Sequence, residues 1–443
     1  MIGTEQAYPL GWVDDFVSSI RPHVALRRED SLFILLPNQA YRLNPTGVEV
    51  VGHLFDGGSI EEFLARRGGG SADARRDLYH FFCDLRALVS GCLGDGHGRK
   101  AVEQVPFRAP FSELPVLSEI ALTYRCNLAC RFCYAGCGCR RAEDGAEMTT
   151  AEVVRVLRSI HDEAGVPSVS FTGGEPTLRA DLPRLVSEAC AIGLRVNLIT
   201  NATLITPASA AGLAEAGLYS AQVSIEGPTD EIHDAQTAVT GSFDRSWRGI
   251  ESLIAAGIRT QTNTTLTGAN AAHAEDVVAL LAARGMKRFA MNMLMPCGSS
   301  LTHGDLRIAY SEIGEVISRV QRRARELEIE FLWYSPTPYC IFNPISSGLG
   351  NKGCAACDGL ISVGPTGEIL PCSSFDYGVG NLLERGFRSI WNSPRALYWR
   401  GKRYAPPQCS GCPTFDACAG ACPLYWNEYG TAELEAALGK EAV

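Results

Sequence analysis

Between residues 117 and 330 the chain alternates extended and helical patterns, and this alternation limits the possible folds more than any other feature of the sequence. Extended runs are predicted at 118–124, 168–172, 194–200, 219–225, 258–266 and 287–295. Helical runs such as "DLPRLVSEACAIG", "SWRGIESLIAAG" and "AEDVVALLAARG" lie between them. The helices close on glycines, Gly193, Gly217, Gly257 and Gly285, as residues that accept a left-handed cap. Strands joined through helices lie parallel in one sheet, so the class is α/β. Pattern alone does not separate an open six-strand sheet from a partial barrel. In both, chemistry belongs at the C-terminal ends of the strands.

The loop after the first of these strands reads "CNLACRFCYAGCGC". Cys126, Cys130 and Cys133 have the spacing C-x3-C-x2-C, which lets one loop wrap one metal centre. Zinc shares the Cys-x2-Cys spacing, but a closed structural zinc site takes four ligands, usually as two pairs, and no second pair follows nearby. An iron–sulfur cluster also takes thiolates, and three of them leave one iron open to a small molecule. The chain holds 17 cysteines, an odd number, and eight fall between Cys340 and Cys422. The first residues, "MIGTEQAYPLGW", show no basic stretch and no apolar core of a signal peptide, so the expectation is a cytoplasmic protein whose clustered thiols bind metal. Cys83, Cys92, Cys190 and Cys297 read as ordinary small buried residues.

A length of 443 residues predicts two or three cores. With a net charge of −9 and no Lys/Arg run, no nucleic-acid partner is expected. No apolar window is long enough to span a membrane, so no membrane partner is expected either. Residues 1–104 read as a winged-helix-like α+β domain. "SLFILLPNQAYRLNP" predicts two strands about the turn at Pro37-Asn38-Gln39, followed by helix starts at Thr46 (with Glu49) and Ser59 (with Glu62). A third helix starts near Ser71 and carries Leu78, Phe81, Phe82, Leu85 and Val89 at helical spacing. Residues 105–116 read as a Gly/Pro-rich linker, 117–330 as the βα unit, and 331–443 as a Cys-, Pro- and Gly-rich unit that leans on metal for its fold.

The C-x3-C-x2-C loop with Phe132 resembles the radical S-adenosylmethionine (SAM) superfamily, and the segments behind it match in order. The resemblance covers nearly all of 117–300. It implies a partial (β/α)6 barrel. It implies a [4Fe–4S] cluster on Cys126, Cys130 and Cys133 that binds SAM. Gly173, Gly174 and Glu175 of "SFTGGEP" would hold the methionyl amino group. Ser224 and Glu226 of "VSIEGP" would contact the ribose and the methionyl carboxylate. Arg245 stands where the family often has a carboxylate-binding arginine, and "TNAT" and "MNMLMPCG" fit loops lining the adenosine. Cys137 and Cys139 have no assigned role; free loop thiols and thiol exchange with substrate are both open.

Cys357, Gly367 and Cys372 fit C-x9-G-x4-C, and Cys409, Cys412, Cys418 and Cys422 fit C-x2-C-x5-C-x3-C. These resemble the SPASM extension of radical SAM enzymes, which implies two auxiliary [4Fe–4S] clusters. By that resemblance Cys357, Cys372 and Cys422 belong to one, and Cys409, Cys412 and Cys418 to the other. The further downstream cysteine usual in the family is absent from "PLYWNEYGTAELEAALGKEAV". Cys340 and Cys354 bring the thiols to eight, and which cluster each joins stays open. An incomplete second site is the alternative.

"LNPTGVEVVGHLFDGGSIEEFL" resembles the PqqD-like peptide-chaperone domain of pyrroloquinoline quinone biosynthesis, over roughly residues 20–95. This implies that a leader peptide adds to a sheet edge, in a groove flanked by strand 32–36 and the third helix. Together the resemblances imply an oxidoreductase that uses a 5′-deoxyadenosyl radical to cross-link a ribosomally made precursor peptide, through a thioether or carbon–carbon bond. A flavodoxin or ferredoxin would supply electrons. The rivals are chemistry on a small molecule or tetrapyrrole, a sulfatase-type maturase, and a non-enzymatic iron–sulfur chaperone or electron carrier. The sulfatase-type maturases carry an Asp directly after the position of Cys372, whereas Ser373 stands here and Asp376 lies further on.

Overall fold

The computed structural model describes residues 8–37, 39–67, 71–90, 111–136 and 147–440. The chain forms two compact units, Met1–Phe107 and Arg108–Val443. In the first, β1 (Val24–Arg27), β2 (Leu32–Leu35) and β3 (Gln39–Arg42) form an antiparallel sheet in that order. Helices Val13–Ile20, Pro45–Phe55, Ile60–Arg66 and Ala72–Val89 accompany it, and a core around Phe33, Val50, Phe63 and Phe82 joins helices to sheet. β1 and helix Val13–Ile20 are additions to the sequence reading. The helix start predicted at Thr46 is instead capped by Asn44, which accepts from Gly47 N (2.7 Å) with Pro45 at the first helical position. Ser59 and Glu62 form the predicted capping box, and Ser71 caps the third predicted helix. Strand 32–36 corresponds to β2, the middle strand, so among the described residues the open edges belong to β1 and β3.

The second unit is built on one ten-stranded sheet. Its parallel run is β4 (Leu117–Thr123), β5 (Ser168–Gly173), β6 (Arg195–Thr200), β7 (Ser220–Ser224), β8 (Arg259–Leu266), β9 (Arg288–Met293) and β10 (Glu330–Trp333), paired in chain order. On the other side of β4, β11 (Leu360–Val363) pairs parallel, and β12 (Glu368–Leu370) and β13 (Gly380–Asn381) follow antiparallel. The six predicted strands are β4 to β9, and the Cys-rich segment continues their sheet. The fold is a partial barrel with a Cys-rich extension.

Burial explains the curl of the sheet. Parallel strands covered on both faces are apolar throughout, whereas β6 and β7 alternate buried with half-buried residues. Val196, Leu198, Ala221 and Val223 face the helices in the core. The alternate residues Asn197, Ser220 and Ser170 are polar and bond one another. Asn197 donates to Ser170 Oγ (3.2 Å) and accepts from Ser220 Oγ (2.8 Å). A sheet whose second face is polar encloses a lumen rather than a second helix layer.

Candidate active site at the strand ends

The loop leaving β4 carries Cys126, Cys130 and Cys133, and four neighbouring segments hold it. Asn127 donates to Thr203 Oγ1 (2.7 Å) and accepts from Asn201 Nδ2 (3.0 Å), tying the loop to the end of β6. Ala129 N and Arg131 N donate to Thr237 O (3.1 Å) and Gln236 O (3.0 Å). Arg131 pairs with Asp305 at 2.7 Å, and Ser299 N donates to Cys133 O at 2.9 Å. Gly298 has φ +56, and a Cβ there would lie 2.2 Å from Cys133 O, so the 297–299 segment rests directly on the loop.

The thiols fit a cationic centre. Leu128 N–H points at Cys126 Sγ from 3.4 Å, and Asn201 Nδ2 lies 3.9 Å from the same sulfur. Donors aimed at sulfur favour thiolate. Burial pushes Cys130 well above the ordinary thiol range, and the negative charges of Cys133, Glu226 and Cys126 push it further. Three neighbouring thiols repel one another as anions, and an iron–sulfur cluster would relieve that repulsion by direct ligation.

The turn after β5 is built on its two glycines. Gly173 has φ +129, and Cβ atoms at Gly173 and Gly174 would lie 2.1 Å from Thr123 O and 2.2 Å from Arg125 O. Gly174 N and Glu175 N donate to those same carbonyls, each at 2.8 Å. The close approach here is therefore to the protein's own backbone leading into Cys126. Glu175 is fully buried and accepts from Thr177 N (3.0 Å), Thr177 Oγ1 (2.6 Å), Thr200 Oγ1 (2.7 Å) and Asn201 N (2.8 Å). Three of these donors converge on Oε1 and one reaches Oε2, so the carboxyl group ties the ends of β5 and β6 together.

Ser224 ends β7 beside Asn263 of β8. Asn263 donates to Asn292 Oδ1 (2.7 Å), and its own Oδ1 is buried without a partner, a vacant acceptor in the lumen wall. Glu226 is buried, accepts from Thr265 N (2.8 Å) and donates its own N–H to His233 Nδ1 (3.0 Å). Burial pushes the Glu226 carboxyl up to about 8, so near neutral pH it is largely protonated and able to donate to a ligand oxygen. Burial pushes His233 down to about 4, which keeps it neutral as the acceptor. Phe132 is half-buried on the Cys loop. Arg245 bonds Thr240 O (3.4 Å) at the start of helix Ser242–Ala255, on the turn that follows Thr237.

Asn127, Asn201 and Thr203 brace the loop without having been singled out one by one in the sequence; the strings "CN" and "TNAT" are their signal. Cys297, expected as an ordinary small buried residue, is buried. Burial pushes it up to about 11, and its surroundings are Ser374 and Cys133, so it lies between the first thiol loop and the Cys372 region. Cys137 and Cys139 lie outside the described residues.

The thiols of the Cys-rich segment fall into two groups. Burial raises Cys372 far above the thiol range, reinforced by the charges of Cys354 and Cys422. Burial also pushes Cys357 and Cys422 up to about 12, and Cys354 adds to both. The second group surrounds a cavity whose wall includes Cys340, Cys409, Cys412, Cys418, Gln408 and Trp426. Burial pushes Cys409 up to about 11, with Cys418, Cys340 and Cys412 contributing in that order.

Residues 120–281 match the radical SAM superfamily, and residues 354–413 match an iron–sulfur cluster-binding domain, SPASM. The chain is 31% identical, over 68% of its length and 80% of the relative's, to the AdoMet-dependent heme synthase of Oleidesulfovibrio alaskensis. The chain belongs to the radical SAM superfamily. This radical SAM enzyme is also 28% identical to the mycofactocin maturase MftC of Mycolicibacterium smegmatis, over 70% of the chain and 78% of that protein. Its fold is similar to that of Streptococcus suis SuiB bound to its precursor peptide SuiA, with a TM-score of 0.66 at 16% identity, covering 90% of this chain and 94% of that one. As a radical SAM enzyme with a SPASM domain it uses SAM, a [4Fe–4S] cluster in the barrel domain and auxiliary clusters in the Cys-rich extension. Among the described residues no helix is long and apolar enough to cross a membrane.

Proposed function

We propose that this radical SAM enzyme abstracts hydrogen from a ribosomally made precursor peptide and installs a thioether or carbon–carbon cross-link. The observation that carries the reading is the reach of the fold match. Residues 108–443 make up about three quarters of the chain, whereas the likeness to peptide-bound SuiB extends over 90% of it and so enters the N-terminal unit. In this reading the leader adds as a strand to the open edge of β3, drawing affinity from main-chain hydrogen bonds. Helix Pro45–Phe55 packs against β1 at the other edge, which favours β3. Holding the leader raises the local concentration of the peptide core at the barrel mouth.

Cys126, Cys130 and Cys133 would hold the cluster of the barrel domain. With SAM bound, that centre supplies a 5′-deoxyadenosyl radical able to take hydrogen from an unactivated C–H bond. The residues around it position and shield. The Asn127–Asn201–Thr203 network fixes the loop. Gly173 and Gly174 bring the β5 end against it, and Glu175 locks β5 to β6. Protonated Glu226 and the vacant acceptor of Asn263 offer a donor and an acceptor to polar groups of SAM, near Ser224. Phe132 covers the loop side, and Arg245 would neutralise a carboxylate at the rim. Placement at near-contact distance is the protein's main contribution to rate.

A second reading is chemistry on a tetrapyrrole, favoured by the relative named a heme synthase. One experiment separates the two. The anaerobically reconstituted enzyme is given SAM, dithionite and either the small peptides encoded beside its gene or a tetrapyrrole carboxylic acid. Formation of 5′-deoxyadenosine with a peptide product lighter by two hydrogens supports the first reading. Turnover of the tetrapyrrole alone supports the second. No 5′-deoxyadenosine with dithionite and SAM would sink the radical reading altogether. Leader binding that survives deletion of residues 1–104 would refute the role given to β3.

A further inference from the structure

Two cysteines of the extension, Cys340 and Cys354, lie outside the spaced motifs, and the fold places them on different sides. Cys340 sits in the turn after β10, where Ile341 N and Phe342 N both donate to Pro338 O (2.9 Å each). That turn directs it into the wall of the cavity formed by Cys409, Cys412 and Cys418. The chain on either side of the turn is already bound to Cys418: Tyr339 N donates to Cys418 Sγ at 3.4 Å, and Thr337 O lies 3.9 Å from the same sulfur. Gln408 Oε1, in the same wall, is buried without a partner.

Cys354 faces the other group. Its carbonyl accepts from Lys402 Nζ (2.8 Å), which also pairs with Asp358 at 2.8 Å, and Arg400 donates to the carbonyl of the neighbouring Cys357 (3.3 Å). Cys357 N donates to Pro371 O at 3.1 Å, placing the 354–357 segment against the residue before Cys372. Tyr310 Oη accepts from Cys422 N at 3.4 Å and closes this group from below. The partition therefore rests on the backbone as well as on sulfur positions.

We infer that Cys340 is the fourth thiolate of the auxiliary cluster held by Cys409, Cys412 and Cys418, while Cys354 completes the one held by Cys357, Cys372 and Cys422. Both auxiliary cages then close on four cysteines. A closed cage leaves no iron vacant, so neither auxiliary cluster binds a substrate thiol or amide; both serve in electron transfer only. This inference rests on the reading that the extension binds two [4Fe–4S] clusters.

The test uses the full chain, reconstituted anaerobically, with iron and sulfide counted per chain and the reduced clusters followed by electron paramagnetic resonance. The wild type is expected to hold about 12 irons, about four for each cluster. Cys340→Ala is expected to lose about four of them. Combined with Cys418→Ala it loses no more than Cys418→Ala alone; combined with Cys372→Ala it loses about eight. The reverse pattern, or full iron with an unchanged spectrum in Cys340→Ala, overturns the assignment. Should Cys340→Ala fail to fold, Cys340→Asp keeps an oxygen ligand, and a shifted spectrum and reduction potential of one cluster are expected; a wild-type spectrum overturns it. Added 2-mercaptoethanol leaves the auxiliary signals of the wild type unmoved, and a response there refutes the closed cages. A wild type that cleaves SAM yet holds only about four irons overturns the inference and spares the SAM site; one with neither iron nor cleavage removes both.

Discussion

The Cys126 loop and the Cys-rich extension both gather thiols, but they gather them by different means. The loop takes three cysteines from eight consecutive residues, and its shape is held by bonds from Thr203, Asn201, Gln236, Thr237, Asp305 and Ser299. Those partners stand at the ends of strands or in the segments that follow them, so the barrel preorganises the loop before any metal arrives. The extension draws its thiols from Cys340 to Cys422 and has short strands and helices between them. Its sulfurs line a cavity in one group, and in the other the charge of Cys354 bears on Cys357, Cys372 and Cys422. Such a region gains much of its folding free energy from ligation. One metal site is placed by a fold; the other helps to make one.

The sharpest way to break this comparison is to remove each set of thiols. Replacing Cys126, Cys130 and Cys133 together by Ala is expected to reduce 5′-deoxyadenosine formation to background. The cost in stability should stay near 1 kcal/mol, because the braces are chiefly amide and hydroxyl bonds. Unfolding and product assays on the same preparation check both halves. Chelating all iron from the wild type should instead loosen 331–443, with proteolysis there accelerated about tenfold or more over 117–330. Equal protection of both regions after chelation would erase the distinction.

Smaller changes sharpen it. Gly174→Ala puts a Cβ 2.2 Å from Arg125 O. Backbone has to move, at a cost of about 2–3 kcal/mol and with weaker SAM binding, measured by denaturation and calorimetry. Glu175→Gln turns one of the acceptor positions facing Thr177, Thr200 and Asn201 into a donor. About 2 kcal/mol of stability is expected to go, with cluster content unchanged. The smallest effect is pH-dependent. His233 is held neutral with its pKa pushed down to about 4 by burial. The unfolded chain therefore binds the extra proton first, and stability falls as pH drops from about 6.5 toward 4. His233→Gln should flatten that limb by about 1 kcal/mol between pH 6.5 and 5, read from melting temperatures across pH.

The sequence carried the regular parts well, because they are encoded locally. Each of β4 to β9 is an apolar or alternating run within a few residues of its predicted place, and the helical segments after β5, β6, β7 and β8 close at Gly193, Gly217, Gly257 and Gly285. What escaped is non-local. β11 is four residues long; besides its short antiparallel neighbour β12, it is held as a strand by pairing with β4, far upstream. β1 is equally short, and helix Val13–Ile20 carries two acidic residues in its first turn that disguise its apolar face. Asn44 displaced Thr46 as the cap because Pro45 is best suited to the first helical position, which shifts the start back. At the site, the three loop thiols were legible from spacing. The bonds that Glu175 accepts from Thr177, Thr200 and Asn201, and the inferred partition of Cys340 from Cys354, depend on turns whose direction no spacing records.

The pairing of β11 with β4 has a consequence for how the molecule is made. On the ribosome β4 emerges early, and β5 to β10 can zip along one of its sides as soon as residue 333 is free. Its other side stays bare until Leu360–Val363 appear. For that interval a nascent chain displays an unpaired parallel edge, the kind of surface that invites a wrong partner. The Cys-rich segment thus acts late in biogenesis as the clasp that retires this edge, and any delay in its metallation prolongs the exposure of the barrel it closes.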